Sequence, residues 1–367
     1  MAIVINGSGT VTGLAVGGLP DGTVDSGTLA TDSVTAVKIP ASLENTFVSG
    51  RKNIIINGAM HLAQRGTSTT SGAQAYLLDR FYTYQFNASG RTVSQSTDSP
   101  DEFSNSLKVI RAANNTATTS VYLSQPIESK NCVGTAGKKI TFSFWAKKGA
   151  NWSASGGTLP VTVTSGTGTD QSFMAGVTGG VTLINSNASL TTSWAKYSFT
   201  SSELVPTNST QLIYQTIAGW AGTAGADDSF YITGIQLEVG ETATDFEHRS
   251  YGEELALCQR YFFRIPGNAS DARCIGLGFN QNTTLTNLYL NFPVEMRSEV
   301  TVTQAGVEVL TGAATIAVNL NGIFDKSLLG QRVRFSAASG TPFVSDEVSL
   351  IRIDAGASNY IQADAEL

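Results

Sequence analysis

Residues 231–262, YITGIQLEVGETATDFEHRSYGEELALCQRYF, change their period halfway along. Up to Glu238 the pattern has a period of two, with Ile235 and Leu237 on one face and Gln236 and Glu238 on the other. From Tyr251 onward the residues Tyr251, Leu255, Cys258 and Phe262 recur at helical spacing, so the expected helix runs over 251–262. Ser250 supplies an N-cap, and Glu253 stands where a capping box needs it. Arg260 near the end suits the negative pole of the helix dipole. A chain that passes from strand to helix here, with β-patterned sequence on both sides, consists of two β units and a joint. The stripe of Leu255, Cys258 and Phe262 either packs on a neighbouring β unit or meets its own copies on a symmetry axis. A helix this short does not hold an assembly together by itself.

The unit before the joint is read from its alternation. In residues 140–147, ITFSFWAK, the side chains of Ile140, Phe142, Phe144 and Ala146 share one face, and Thr141, Ser143, Trp145 and Lys147 share the other. Residues 53–58 read as a strand closed by an Asn57-Gly58 turn. Further strand-like runs lie at 78–86, 107–112, 121–127, 161–163, 194–200, 211–217 and 230–238. With 37 glycines and only 14% charged residues, such short runs joined by Gly-rich turns make an all-β chain, with a jelly-roll sandwich over 53–250. Residues 149–193 are poor in large apolar groups and are expected to form long loops. Residues 251–367 are expected to hold the short linking helix and a smaller β-sandwich, with strands at 274–279, 285–292, 300–303, 314–320, 333–337, 347–353 and 360–367.

Residues 1–52 are different material. Phe47 is their only aromatic, and Gly, Ser, Thr and Asp dominate, which does not make a packed core. Val24, Leu29, Val34 and Ile39 stand five apart, a period that is neither that of a helix nor that of a strand. One apolar residue in five is buried only if several copies wind about a common axis, as in repeat assemblies; the alternative is a flexible leader.

Charge and chemistry exclude several classes. Lys and Arg total 23 against 29 acids, a net charge of −6 with no basic run, so phosphate neutralisation on a nucleic acid is not expected. No stretch approaches the roughly 18 apolar residues of a membrane span, and the first residues lack the pattern of a signal peptide. The three cysteines, Cys132, Cys258 and Cys274, form no CxxC pair, so buried free thiols are expected in place of disulfides or a zinc site. The two histidines, His61 and His248, sit in no catalytic motif, and no GxSxG, HExxH or P-loop pattern occurs. No enzyme and no cofactor is expected; Asp227-Asp228 reads as an ordinary acidic turn before a structural calcium site. Sugar binding, by contrast, needs flat aromatic faces beside planar polar groups. Trp145, on the strand face opposite Phe142 and Phe144, is one candidate, although it equally suits a second-face core. Trp152 and Trp220, in Gly-rich surroundings, and Gln236 and Glu238 complete the set. Trp194, which starts a strand, is expected in the core.

Several segments carry a likeness to known proteins. RKNIIINGAMHLAQRGTS at 51–68, LDRF at 78–81, FSFWAKK at 142–148 and the run at 232–262 resemble bacteriophage tail-fibre proteins, especially those of marine and cyanobacterial phages. DGTVDSGTLATDSVTAVKI at 21–39 is similar to shaft repeats of such fibres, and DAEL at 364–367 resembles the way many of them end. The likeness is weakest over 149–193 and 264–363. It implies a homotrimeric virion protein made in the host cytoplasm, with a jelly roll like that of carbohydrate-binding modules and with adhesion to host surface glycans. Residues 1–52, through Val24, Leu29, Val34 and Ile39, would then join the trimer to other virion proteins. A capsid decoration fibre and a glycan-cleaving tail spike are the alternatives.

Overall fold

The computed structural model describes residues 4–5, 11–12, 51–69, 75–85, 90–172, 176–312, 314–338 and 343–366. The chain divides into two units, residues 1–50 and 51–367. In the first, β1 (Val4–Ile5) pairs antiparallel with β2 (Val11–Thr12). Val24, Leu29, Val34 and Ile39 lie outside the described residues.

The second unit opens with a sandwich of two six-stranded antiparallel sheets. Its strands are β3 (Ser68–Thr69), β4 (Ala75–Tyr76), β5 (Tyr82–Gln85), β6 (Arg91–Ser96), β7 (Ser106–Arg111), β8 (Val121–Ile127), β9 (Ile140–Lys148), β10 (Thr158–Gly166), β11 (Val181–Ser189), β12 (Ala195–Thr200), β13 (Gln211–Ala218) and β14 (Asp228–Val239). Sheet I runs β12-β9-β14-β7-β6-β3 and sheet II runs β11-β10-β13-β8-β5-β4. From β8 on, the chain crosses repeatedly between the layers, which is jelly-roll-like winding. The period-two reading of β9 holds: Ile140, Phe142, Phe144 and Ala146 are all fully buried. They face Leu123, Val161 and Tyr214 of sheet II in one core, with the Phe142 and Tyr214 rings stacked at 4.6 Å. In β14 the parity flips at a bulge, where the register against β9 shifts between Thr233 and Gln236. Gly234 sits there at φ 59°, and a Cβ on it would lie 2.6 Å from the Phe103 ring and 3.0 Å from Trp145. The bulge keeps Phe230, Ile232, Ile235 and Leu237 all in the core.

Three expectations change. Residues 149–193 are not simply long loops: they hold the nine-residue strands β10 and β11. At this edge of sheet II, Leu159, Val161 and Val163 suffice for the inner face, and the outer positions take Thr without cost. Residues 53–58 form no strand. Their backbone bonds go largely to side chains: Gln125 bonds Ile56 in both directions at 2.8 Å, and Glu254 accepts from the Asn57 amide at 2.6 Å. Residues 78–80 turn, with Arg80 at φ 71°, so the strand expected over 78–86 begins only at Tyr82.

The joint is the helix α1 (Tyr251–Gln259), with Ser250 as N-cap and a complete capping box to Glu253. Cys258 and Tyr261 are buried against Ile56 and Leu62 of the same chain, with Leu255 alongside. The stripe thus packs on the sandwich. Tyr251 stays exposed, and Phe262 belongs to the next strand, because β15 (Phe262–Pro266) pairs with β23 (Tyr360–Asp364).

Beyond the helix, β23 is flanked by β15 and β18 (Thr301–Ala305) in a three-stranded sheet. Six more strands close into a barrel: β16 (Arg273–Asn280), β17 (Leu285–Asn291), β19 (Val307–Leu310), β20 (Thr315–Ser327), β21 (Gly330–Ala337) and β22 (Val348–Ile353). The expected small sandwich therefore takes the form of a barrel with a sheet laid on it, sharing one core that includes Val302, Val309, Phe335 and Ile361. The switch from sheet to barrel happens at Gly306, whose φ of 65° lets β18 and β19 take different partners.

Buried charges clamp the barrel onto the sandwich. Arg65 pairs with Asp364 at 3.1 Å and Glu366 at 3.3 Å. Arg80, almost fully buried, also binds Glu366 and lies 3.6 Å over the Tyr261 ring. Glu128 accepts two bonds from Arg260, at 2.9 and 2.7 Å, and one from the Tyr261 hydroxyl at 2.8 Å. Burial opposes ionisation there, but these partners hold the Glu128 carboxyl down at about 2. Asp79, which burial dominates despite two bonds from Gln64, is pushed up to about 6.

Candidate functional site

The outer face of sheet I carries Trp145, as the alternation of β9 requires, and there it is half-buried. The same face carries Gln236 and Glu238, but these two are fully buried and engaged by their own chain. Residues 240–248 return over this half of the sheet. Glu238 accepts from the Thr244 amide at 2.9 Å and its hydroxyl at 2.7 Å. Gln236 donates to Glu238 at 2.9 Å and accepts from the Glu247 amide at 2.8 Å. They pin the return segment and are not available to a ligand, which corrects their candidacy. Phe103, Phe246 and His248 form a ring cluster over the same half. Higher on this face Trp194 is half-exposed and outside the core, contrary to expectation; its indole N–H donates to Asp98 at 3.1 Å.

One end of the sandwich takes the other two tryptophans. Trp220 is buried in the core, and Trp152 stacks on it with ring centroids 6.1 Å apart. They plug the open end between the sheets: Trp220 offers no face to a sugar, and Trp152 is half-buried against the core. The adjacent Asp228 holds Arg111 in a fully buried ion pair at 2.8 Å and accepts from Ser153. Asp227 accepts from the Ala150 amide and the Ser229 hydroxyl. A guanidinium already stands where a cation at this acidic pair would be expected. Among the described residues no cluster of three or more His, Cys, Asp or Glu is placed to hold a metal. Of the cysteines, Cys132 and Cys258 are buried, and burial pushes the Cys132 thiol up to about 12. Cys274, against expectation, is exposed, because it points outward from the barrel wall.

The outer face of sheet II was not singled out from the sequence, and it is built differently. Its cross-strand neighbours form two rows. In one, Thr162 stands opposite Gln215, Gln215 opposite Ser124, Ser124 opposite Tyr82, and Tyr82 opposite Tyr76. In the next, Ile217 stands opposite Tyr122 and Tyr122 opposite Tyr84. Tyr82, Tyr84 and Tyr122 are half-buried; the Tyr84 and Tyr122 rings lie 6.1 Å apart and those of Tyr76 and Tyr82 5.1 Å apart. Burial pushes the Tyr82 hydroxyl above its ordinary pKa, so that ring is neutral at physiological pH. In the middle, the Gln215 side-chain nitrogen is buried without a hydrogen-bond partner. A buried amide donor left unbonded costs about 1–3 kcal/mol. The signal for this face was present as Tyr-Thr-Tyr at 82–84, two rings on one side of a strand, with Tyr122 answering from its neighbour. The two rows contain no carboxylate, imidazole or thiol; their rings, hydroxyls and the Gln215 amide can stack and hydrogen-bond.

No protein-family model matches the chain, and no curated protein matches it. Among solved structures, the enzymatically active domain of tailspike protein 4 of bacteriophage CBA120 is 14% identical, with a TM-score of 0.33, over 51% of this chain and 21% of that one. A putative sugar-binding protein from Bacteroides thetaiotaomicron is 13% identical, with a TM-score of 0.32, over 52% of this chain and 100% of that one. A carbohydrate-binding module described as CBM4 is 18% identical, with a TM-score of 0.32, over 50% of this chain and 98% of that one. These are loose likenesses, and the assignment of function rests on the geometry.

Proposed function

We propose that the chain is a non-enzymatic, homotrimeric virion fibre protein, whose sandwich adheres to host surface glycans through the outer face of sheet II. The observation that carries this reading is the half-buried Tyr82, Tyr84 and Tyr122 on one face of sheet II, which also holds the Gln215 amide, whose nitrogen has no hydrogen-bond partner. Sugar rings present C–H faces that stack on aromatic rings and hydroxyls that need planar polar partners, and this face offers both. The lack of a carboxylate pair in the two rows favours adhesion over hydrolysis. The single-site contact is shallow; three copies per fibre and several fibres per particle turn weak binding into firm attachment. Residues 1–52 are the segment that joins the trimer to the particle.

The test is a glycan array probed with the full chain and with a Tyr82→Ala/Tyr122→Ala form. Binding by the first and its loss in the second support the reading; equal binding, or none by either, contradicts it. Incubation with the glycan so identified should leave its chain length unchanged, and immunolabelling of particles should place the protein on the tail.

A further inference from the structure

In the barrel wall formed by β22, β16 and β17, strand β16 is patterned inside out. In β16, Gly278 and Asn280 point inward and are buried, while Leu277 and Phe279 point outward and are 67% and 49% exposed. The inward Gly278 leaves no room for a side chain, since a Cβ would lie 2.4 Å from Ile351. Next to them, Val348 is 63% and Tyr289 is 52% exposed. Register makes this one surface: Phe279 stands opposite Val348, and Leu277 opposite Leu350. Single exposed apolar residues are ordinary, but a contiguous patch marks an interaction surface. A strand that turns glycine in and leucine and phenylalanine out is written for a second apolar surface.

We propose that this wall is the surface by which copies of the chain meet one another in the fibre; the inference rests on the trimeric reading above and names its contact. The barrel is closed, so there is no free edge for strand addition, and the partner must pack by side chains. The charges at its borders fit another copy. The row Val348, Phe279, Asn287, Arg334 runs across the wall. At the Val348 end stand the exposed acids Asp346 and Glu347, and at the other end stands Arg334, which donates to Asn287 and lies over the Phe324 ring; Arg332, two residues before it, is paired to Asp325. A patch that is acidic at one border, apolar in the middle and basic at the other is complementary to itself head to tail. That is the contact that closes a ring. A uniformly charged host surface would match only one border.

Two measurements on the full chain test this. The first is the mass in solution, by light scattering, of the native chain and of Leu277→Asp/Val348→Asp. Both positions are mostly exposed, so the fold should survive, as unchanged circular dichroism would show. The native chain should be a trimer and the variant a monomer. The second measurement is the rate at which a maleimide labels Cys274, which lies outward on the same wall opposite Arg352, while Cys132 and Cys258 are buried. In the trimer, labelling should be several-fold slower than in the monomeric variant or, if that variant misfolds, than in the native chain in urea. A variant that remains trimeric, or a native trimer whose Cys274 labels at the unprotected rate, overturns the wall contact and leaves the trimer standing. A native monomer overturns the trimer and the wall contact together.

Discussion

The sandwich carries a glutamine on the outer face of each sheet, and the two have opposite fates. Gln236, on sheet I, has both ends of its amide bonded to Glu238 and to the backbone of the returning segment. Gln215, on sheet II, stands between Thr162 and Ser124 in a row that ends in Tyr82 and Tyr76, and has a buried nitrogen with no partner. Residue type and strand parity are the same in kind at both places. What separates a structural glutamine from a binding one is whether the chain itself fills its bonds. The covered face is a joint within the molecule, and the uncovered one is a surface left for something else.

The comparison can be broken most forcefully at Glu238. Glu238→Ala leaves the Thr244 N–H without an acceptor and the Gln236 amide with only its longer bonds to the Thr244 hydroxyl and the Asp245 carbonyl, and should cost on the order of 3 kcal/mol of stability, read by denaturant unfolding, while glycan binding is retained. A variant as stable as the native chain would remove the claim that sheet I is internally committed. Next in size is the Tyr82→Ala/Tyr122→Ala form. Its affinity should fall about tenfold or more, equivalent to about 1.4 kcal/mol or more, with a much smaller change in melting. A finer contrast pairs two leucine substitutions. Gln236→Leu strands its partners and should destabilise by about 2 kcal/mol, whereas Gln215→Leu removes an unbonded donor and should be close to neutral for stability, yet weaken binding. Equal stability costs would erase the distinction.

The smallest effect concerns pH and uses the buried joint as a control. Asp79, raised to about 6 by burial, ionises near 3.9 when unfolded. Between those values the folded chain holds a proton that the unfolded chain lacks, so this residue adds stability as pH falls from about 6 to about 4. Glu128, held at about 2, acts in reverse: its stabilisation is lost as pH falls from about 4.5 toward 2. Asp79→Asn should flatten the first slope and Glu128→Gln the second. Glycan affinity should stay level between about pH 5 and 8, because the tyrosine rows hold no carboxylate or imidazole.

Much of the architecture was legible because it is written in local periods. The alternation of β9 and the capping box at Ser250 required no tertiary information, and the all-β class followed from them and from the Gly-rich spacing. The barrel was not legible, since closure depends on which distant strands meet, and Gly306 shows no local sign of being the switch. The site was misread for a related reason. Parity placed Gln236 and Glu238 correctly on the outer face, but it carries no information about residues 240–248 folding back over them. Tyr82 and Tyr84 were hidden inside a run read as one strand, whose first residues in fact turn away so that Arg80 can reach Glu366. The segments that resemble tail-fibre proteins hold Arg65, Arg80, Arg260 and Glu366, most of the clamp between sandwich and barrel. What looked like a functional signature in the sequence describes how the two β units are fastened.

The central claim is tested most directly by calorimetric titration of the full chain with host surface polysaccharide, beside Gln215→Leu and Trp194→Ala. Saturable binding that weakens in Gln215→Leu and is unchanged in Trp194→Ala is the result the account predicts. Binding that survives in Gln215→Leu and is lost in Trp194→Ala would move the site to the opposite sheet and contradict it.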